Sequence, residues 1–457
     1  MHLLRLSPVL LVCLLLLATG ACKKEKSWEG TPPETEEPPA QTVTTSIQGR
    51  VLNEQRQPVQ AARVSGGGTT AVTDVNGYFL LQNIRSLDDA TVVSVEKAGY
   101  FKSSRTLMVR EEQLHYIQLE LLLQNETPVN NSTGDIIPFP EGTLTFPANS
   151  VVTAGSQPYG GQVTVRSIYV NPENSTFSDQ MPGDLRGIND QGKQVLLRPF
   201  SMIVFQLEDD GGTALLVDPT KPVSFRIMIP GSLLSSAPNE IPLWHFDTGT
   251  GLWQQEGTAT REGNDYAATA NKPGYWLCAT TLPQIVLTAL VKDQEGNPVP
   301  NLRITILTKQ DLVPAFAFTA GDGIYYGKVP SGKPLILTVT DNCDNVLRQQ
   351  EIGPLNTSSA IDNISVTLPA STSLIVKGTA KDCDNFNVVT GRVIINIDGQ
   401  NYAASIALGK FNTTIVRCDN AAVNITLTAT DDRTGKTSAM TTNASSGTIT
   451  PNIVVCD

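Results

Sequence analysis

Residues 49–64, GRVLNEQRQPVQAARV, followed by TDVNGYF at 73–79, decide how the rest of the chain reads. Gly49 opens a strand, 53–57 is a polar turn, and Pro58 fixes φ before the next strand. In the second stretch Asp74, Asn76 and Gly77 are residue types that tolerate positive φ. A hairpin turn is therefore expected there, with the strand resuming at Tyr78 and Phe79. The same two signals return at 292–306, KDQEGNPVPNLRITI, and at 319–326, TAGDGIYY, with Asp322 and Gly323 in the turn. They return more loosely in VKGTAKDCDNFNVVTGRVIINI at 376–397 and VNITLTATDD at 423–432. Turn residues recur about every 8–12 positions from Thr45 to the end, between short runs of Val, Ile, Thr, Leu and Tyr. Residues 110–123, REEQLHYIQLELLL, mix two periodicities, but alternation over 116–122 predicts a strand. The fold class that follows is all-β, a tandem of β-sandwich modules.

Composition narrows the function classes. The 457 residues carry 33 Lys+Arg against 44 Asp+Glu, a formal charge of -11. Charged residues make up 17%, below the usual ~25%, which suits half-buried strands better than helix bundles. An acidic chain with dilute charge lacks the basic stripe that nucleic acid requires, so no nucleic-acid partner is expected.

At the N-terminus, MHLLRLSPVLLVCLLLLATGA has one Arg5, an apolar run from Pro8 to Leu17, and small residues before Cys22. The apolar run is too short to span a bilayer and reads as a secretory signal, residues 1–21. Thr19, Gly20, Ala21 and Cys22 resemble a bacterial lipobox, although Thr19 stands where an aliphatic residue is usual. The resemblance implies that Cys22 is lipidated and that the membrane is a partner through this lipid. Lys23, Lys24, Glu25 and Lys26 resemble the charged export signal of Bacteroidota surface lipoproteins, which implies the outer membrane, with the periplasmic and the outward-facing side both open. Residues 22–44 are rich in Pro, Glu and Thr and are expected to form a disordered tether.

Residues 45–122, which also contain VVSVEKAGYF at 92–101, resemble the carboxypeptidase regulatory-like domain, a transthyretin-type β-sandwich. Residues 135–282 contain GTLTFPANSVV at 142–152, QMPGDLRGINDQGKQVLL at 180–197 and PLWHFDTGTGLWQQEG at 242–257. They resemble the paired ZU and UPA β-sandwiches, seen also in cartilage intermediate layer proteins and bacterial relatives. Some of those relatives cleave themselves at a His-Phe-Ser triplet. Here the matching residues are Asn271 to Trp276, without that His or Ser, so self-cleavage is not expected. Residues 284–368 and 372–457 complete the series as two further sandwiches.

Of the cysteines, Cys13 leaves with the signal. Cys343, Cys383 and Cys418 each open a Cys-Asp-Asn tripeptide, and Cys456 precedes the final Asp457. In an exported protein these four are disulfide candidates with three connectivities open. Cys418 with Cys456, and Cys343 with Cys383 tying the last two modules, is the preferred pairing. Cys278 reads as a buried free thiol. No Cys-x-x-Cys or Cys-His spacing supports a metal, and calcium has no EF-hand-type spacing to hold it, so no cofactor is expected. After the signal only His115 and His245 remain, both in strands, too few for a Ser-His-Asp or zinc hydrolase site. Carboxylate pairs could still cleave glycosides. The clusters Glu208-Asp209-Asp210 and Asp431-Asp432 instead read as solvated turns. Trp244, Trp253 and Trp276 read as core, with a sugar-stacking platform as the alternative. Pro140, Glu141 and residues 171–195 read as loop surface open to partners.

The sequence therefore predicts a non-enzymatic, lipid-anchored envelope protein acting as a β-sandwich spacer and binding or adhesion module. Its partner would be a surface glycan or an envelope protein. The alternative is a glycan-binding lipoprotein of a polysaccharide capture system. An accessory role in peptidoglycan or envelope assembly and an enzyme, glycosidase or peptidase, rank below these.

Overall fold

The computed structural model describes residues 39–309 and 314–457. The signal segment, Cys22 and the tether up to residue 38 lie outside the described residues. The remainder is β-structure, and residues 40–457 form one compact unit. Among the described residues no helix is long and apolar enough to cross a membrane.

In the first sandwich Thr42–Asn53 lies between Tyr78–Leu87, antiparallel to it, and Leu114–Leu121, parallel to it. The facing sheet runs Thr69–Val72, Arg63–Gly66, Thr91–Glu96, Ser103–Leu107. Alternation turns Ile47, Val51, Ile117 and Leu119 inward against Val64 and Val93. Each such side chain contributes roughly 1.5–3 kcal/mol on burial. Residues 110–123 do form a strand, Leu114–Leu121. The first strand starts at Thr42 rather than after residue 44, because Thr42 to Thr45 pair with Leu87 to Ile84.

Gln284–Lys292 repeats this arrangement, between Ile324–Pro330 (antiparallel) and Ser359–Ser365 (parallel). Its facing sheet is Pro314–Phe318, Arg303–Thr308, Leu335–Thr340, Val346–Ile352. At the C-terminal end Ser373–Asp382 again has an antiparallel neighbour, Lys410–Val416, and parallel ones, Gly447–Ile449 and Asn452–Val455. There the hairpin from Gln400–Ala407 to Lys410–Val416 bridges the two layers into one eight-stranded sheet.

The repeated polar turn has one chemical cause. Asn53 Oδ1 accepts the amides of Gln55 and Gln57, and Asp293 Oδ1 accepts those of Glu295 and Asn297. Asp341 and Asp382 do the same for Cys343 and Asn345, and for Asp384 and Phe386. In each turn the third residue after the acceptor takes a left-handed φ: 57° at Arg56, 87° at Gly296, 63° at Asp344, 66° at Asn385. A short side-chain oxygen thus closes the loop that the chain must turn through.

Between these sandwiches thirteen strands form one sheet around two cores. It begins earlier than residue 135, since Glu126–Val129 already pairs with Val163–Val170. Of residues 171–195, the two ends, 171–176 and 188–194, are half-buried or exposed as expected, but 177–187 are not loop surface. Phe177, Met181 and Leu185 enter the second core beside Trp244, Phe246 and Trp253, and the backbone between them is largely buried. The polar residues interleaved with these anchors made the segment look solvated. They are instead held by side chains of the neighbouring sandwiches.

Chain order suggests beads on a line, yet the first sandwich touches all the others. Arg105 bonds the carbonyl of Gly183, Arg110 bonds Asp322, and Gln48 bonds Asn401.

Candidate functional site

The outward face of Leu114–Leu121 presents Tyr116, Gln118 and Glu120, and three sandwiches converge on it. The one-turn helix Phe177–Gln180 lies across this face. Arg303 Nη2 donates to both carboxylate oxygens of Asp179, at 2.5 and 2.7 Å, and Gln118 Nε2 donates to Oδ2 at 3.0 Å. Gln180 Nε2 donates to Glu120 at 2.7 Å. Arg105 Nη1 donates to Gly183 O at 2.9 Å, and its Nη2 reaches the carbonyls of Gln118 and Asp179, each at 3.3 Å. Phe316 lies between two guanidinium groups, 4.9 Å from Arg105 and 5.5 Å from Arg303, while Tyr116 meets Phe318 edge-on at 4.8 Å. At the rim Arg110 grips Asp322 through two bonds of 2.7 Å.

Burial sets the electrostatics here. Desolvation pushes the Arg105 guanidinium down to about 10, and it pushes His115, which accepts the Arg110 amide, down to about 4. It raises the Glu120 carboxyl, with the Gln180 bond opposing and the charge of Asp179 adding. These groups hold modules together. His115 at neutral pH is an uncharged, bonded imidazole.

Two open clefts flank the junction. One, of about 840 Å³, has walls from three sandwiches and is lined by Arg56, Glu173, Asp179, Arg198, Arg303 and Asp344. The other, of about 730 Å³, lies between the first and C-terminal sandwiches, where Ser46, Gln82, Asn396 and Thr428 present hydroxyls and amides beside the charged Glu111, Glu112, Arg392 and Asp432. Both clefts carry mixed charge, and the second adds a larger share of hydroxyl and amide groups.

The residues singled out from sequence are now placed. Cys343 bonds Cys418 and Cys383 bonds Cys456, with Cα separations of 5.5 and 5.2 Å. The preferred pairing is therefore corrected. Val416 lies opposite Ser373, which puts Cys418 near the start of Ser373–Asp382, whereas Val455 lies opposite Asp382 at its far end. Ten residues of strand, about 30 Å, separate the two ends, so Cys418 cannot reach Cys456. The first bond ties the third sandwich to the last, and the second staples the C-terminal strand. Cys278 is free and buried, its thiol pushed up by desolvation.

Trp244, Trp253 and Trp276 are all buried, so a sugar-stacking platform cannot form from them. His245 is half-buried, its Nε2 3.1 Å from Pro273 O and its ring against Trp276; burial lowers its pKa. Asp209 accepts the amides of Gly211 and Thr213, Glu208 pairs with Arg166, and Asp432 pairs with Arg392. The turn reading holds only in part: Glu208 and Asp431 are the last residues of their strands, Asp431 being buried, and Asp209, Asp210 and Asp432 lead into the turns that follow. Glu141 lies beside Tyr169 and Asn171 at a smaller cleft of about 310 Å³. Sequence reasoning missed Asp179, Arg105 and Arg303, whose partners are remote in the chain. The one available signal was Phe177, Met181 and Leu185 inside an otherwise polar segment.

No protein-family model matches the chain. It is 25% identical over 230 residues to cartilage intermediate layer protein 2 from Homo sapiens, covering 48% of this chain and 20% of that protein. It is 28% identical over 121 residues to cartilage intermediate layer protein 1 from Sus scrofa, covering 26% of this chain and 19% of that one. The chain thus spans about a fifth of these relatives. Solved structures include the shaft pilin SpaA from Lactobacillus rhamnosus GG, at 13% identity, TM-score 0.18, covering 38% of this chain and 97% of that one. The Bacillus anthracis TIE protein matches at 15% identity and TM-score 0.16, covering 71% of this chain and 51% of that one.

Proposed function

We propose that this is a non-enzymatic cell-surface protein, anchored in the outer membrane by a lipid on Cys22, whose joined sandwiches present a preformed binding or adhesion face. The observation that carries this reading is the use of the buried charge. Asp179, Arg105, Arg303, Arg110 and Asp322 all bond across sandwich boundaries, which makes one body of the modules. The cleft of about 840 Å³ beside them is the binding face, and an envelope protein with its own mixed charge is the partner it suits. The glycan reading draws support from the cleft of about 730 Å³, where hydroxyls and amides stand beside Glu111, Glu112, Arg392 and Asp432, since polar groups of both kinds match sugar hydroxyls.

Metabolic labelling with an alkyne fatty acid, combined with protease shaving of intact cells, tests the anchoring. Label that disappears in Cys22→Ser, and shaved peptides from the described residues, are expected. Unlabelled protein, or protein shielded in intact cells and digested only after lysis, refutes it. Cross-linking at the cleft, compared between wild type and Glu173→Lys, tests the partner. A cross-linked envelope protein lost in the variant supports the reading, and retention on immobilised surface polysaccharide alone replaces it with the glycan one.

A further inference from the structure

A bare sheet edge offers unpaired N–H and C=O groups to any extended chain, and folded proteins guard such edges with charge, proline or brevity. Among the described residues, every strand longer than four residues at the end of a sheet is guarded by a charge or a proline, with one exception. Arg85 sits in Tyr78–Leu87, Arg348 and Glu351 in Val346–Ile352, Asp362 in Ser359–Ser365 and Pro138 in Asp135–Phe139. The exception is Thr437–Ala444, TSAMTTNA, eight residues with neither charge nor proline. It begins the eight-stranded sheet of the last sandwich and pairs with Val423–Asp431 on one side only.

The other side of this strand is a run of backbone groups. Asp431 N donates to Lys436 O, so by antiparallel alternation Ser438, Met440, Thr442 and Ala444 bond to Val423–Asp431. Thr437, Ala439, Thr441 and Asn443 direct their N–H and C=O groups the opposite way, and all four are exposed. The Thr437 amide is taken by the Asp457 carbonyl, which leaves Ala439, Thr441 and Asn443 open to a partner strand. Behind them the core is thinly covered, since Met440, Ala444, Val423 and Ile449 pack against it only half-buried. A further strand would complete that cover.

We propose that Thr437–Ala444 docks a second copy of this chain, the two strands pairing antiparallel about a two-fold axis at Thr441. In this register Thr441 faces Thr441 and Ala439 faces Asn443, so the open groups of both copies meet in about six hydrogen bonds. A two-fold contact has to be its own complement. This strand is, because small and hydroxyl side chains oppose one another and no like charges meet. Each copy carries a formal charge of -11, which keeps copies apart, whereas this edge adds no charge to the encounter. The chain's own N-terminal stretch is a poor occupant, because Pro32, Pro33, Pro38 and Pro39 have no N–H to donate. Eight-residue strands make a small interface against the roughly 1,200 Å² of lasting complexes, so the dimer forms reversibly with concentration.

Sedimentation equilibrium of the full chain in density-matched detergent should show a reversible doubling of mass as concentration rises into the high micromolar range. Thr441→Lys sets two like charges face to face and should leave a monomer, as should Thr441→Glu. Mixing the two variants should restore the dimer, because the two-fold register places position 441 opposite itself. Residue-resolved hydrogen exchange of the wild type should slow with concentration by about tenfold at Ala439, Thr441 and Asn443. The amides of Met440 and Thr442, already bonded to Val423–Asp431, should not change. A wild type that stays monomeric, a dimer indifferent to Thr441→Lys, or variants that stay apart when mixed overturns the proposal. If the variants fail to fold, the wild-type exchange pattern still decides.

Discussion

Neutralising Asp179 should loosen the junction before anything else unfolds, and within it first the hold of the third sandwich on the central sheet. Its side chain is 4% exposed and that of its partner Arg303 18%. Breaking a buried pair by removing one partner costs about 3–5 kcal/mol, because the other charge stays behind. Arg303 keeps some solvent, and Asn can still accept from Gln118, so Asp179→Asn should cost about 2–3 kcal/mol. Arg303→Met should cost a similar amount, and the two together less than their sum, by about 2 kcal/mol of coupling. A multi-sandwich chain need not unfold in one step, so a bulk melting curve is the wrong readout. Native-state hydrogen exchange on peptides covering Leu114–Leu121 reports opening at the junction itself. Peptides covering Thr390–Ile397, in the last sandwich, serve as the internal control. Coupling below about 0.5 kcal/mol, or equal loss of protection in the control peptides, would refute the reasoning.

Four further outcomes follow from particular residues. His115 is neutral in the fold, its pKa down to about 4 from 6.5, so the unfolded chain binds the extra proton as pH falls. Stability is therefore full above pH 6.5 and declines towards pH 4 by about 3 kcal/mol; His115→Gln should flatten that part of the pH profile in urea titrations, and an unchanged slope counts against it. Removing the bond that spans 73 residues, in Cys456→Ser with Cys383→Ser, should cost about 4 kcal/mol by loop entropy. Non-reducing peptide mapping of the wild type should recover Cys343 with Cys418 and Cys383 with Cys456 and no other pairing. Leu408 sits in a two-residue hairpin turn at φ 51° and is 71% exposed, a conformation that suits Asn, so Leu408→Asn should stabilise the last sandwich by about 1 kcal/mol in thermal unfolding.

What was legible in the sequence was local. The Asx turns at Asn53 and Asp293 could be read because the acceptor, the left-handed position and the following Pro58 or Pro298 all lie within six residues. The all-β class followed from those turns and the runs between them. The disulfide pairing did not, because the Cys-Asp-Asn tripeptides look equivalent in sequence. In the fold Cys343 is the second residue after its turn's acceptor, Asp341, whereas Cys383 is the first after Asp382. Strand length then carries Cys418 and Cys383 to opposite ends of one strand. The junction was hidden for the opposite reason: its residues are polar and were assigned to solvent. Tyr116, Gln118 and Glu120 alternate with the core residues Ile117 and Leu119 as the outer face of any sandwich would. Only the remote Asp179, Gln180 and Phe318 turn that face inward.

That hidden face bears on the binding role proposed for the cleft. The cleft of about 840 Å³ takes Arg56 from the first sandwich, Glu173 and Arg198 from the central sheet, and Arg303 and Asp344 from the third. No single sandwich contains it, so it exists only while the junction is closed. In an open string of sandwiches, Arg56 and Asp344, now 3.4 Å apart, would separate and the cleft would lose its walls. The buried charge at Asp179 is then more than a brace. By holding the sandwiches together it fixes the geometry of the proposed binding face in advance, and a preformed face avoids the ordering cost that a flexible string would meet on binding. Asp179→Asn should therefore weaken the cross-link to an envelope partner even though Asp179 contributes little exposed surface of its own. Glu173→Lys should weaken it while leaving the hydrogen-exchange protection of Leu114–Leu121 intact. Equal cross-linking in wild type and Asp179→Asn would separate the brace from the binding face and dissolve the link between them.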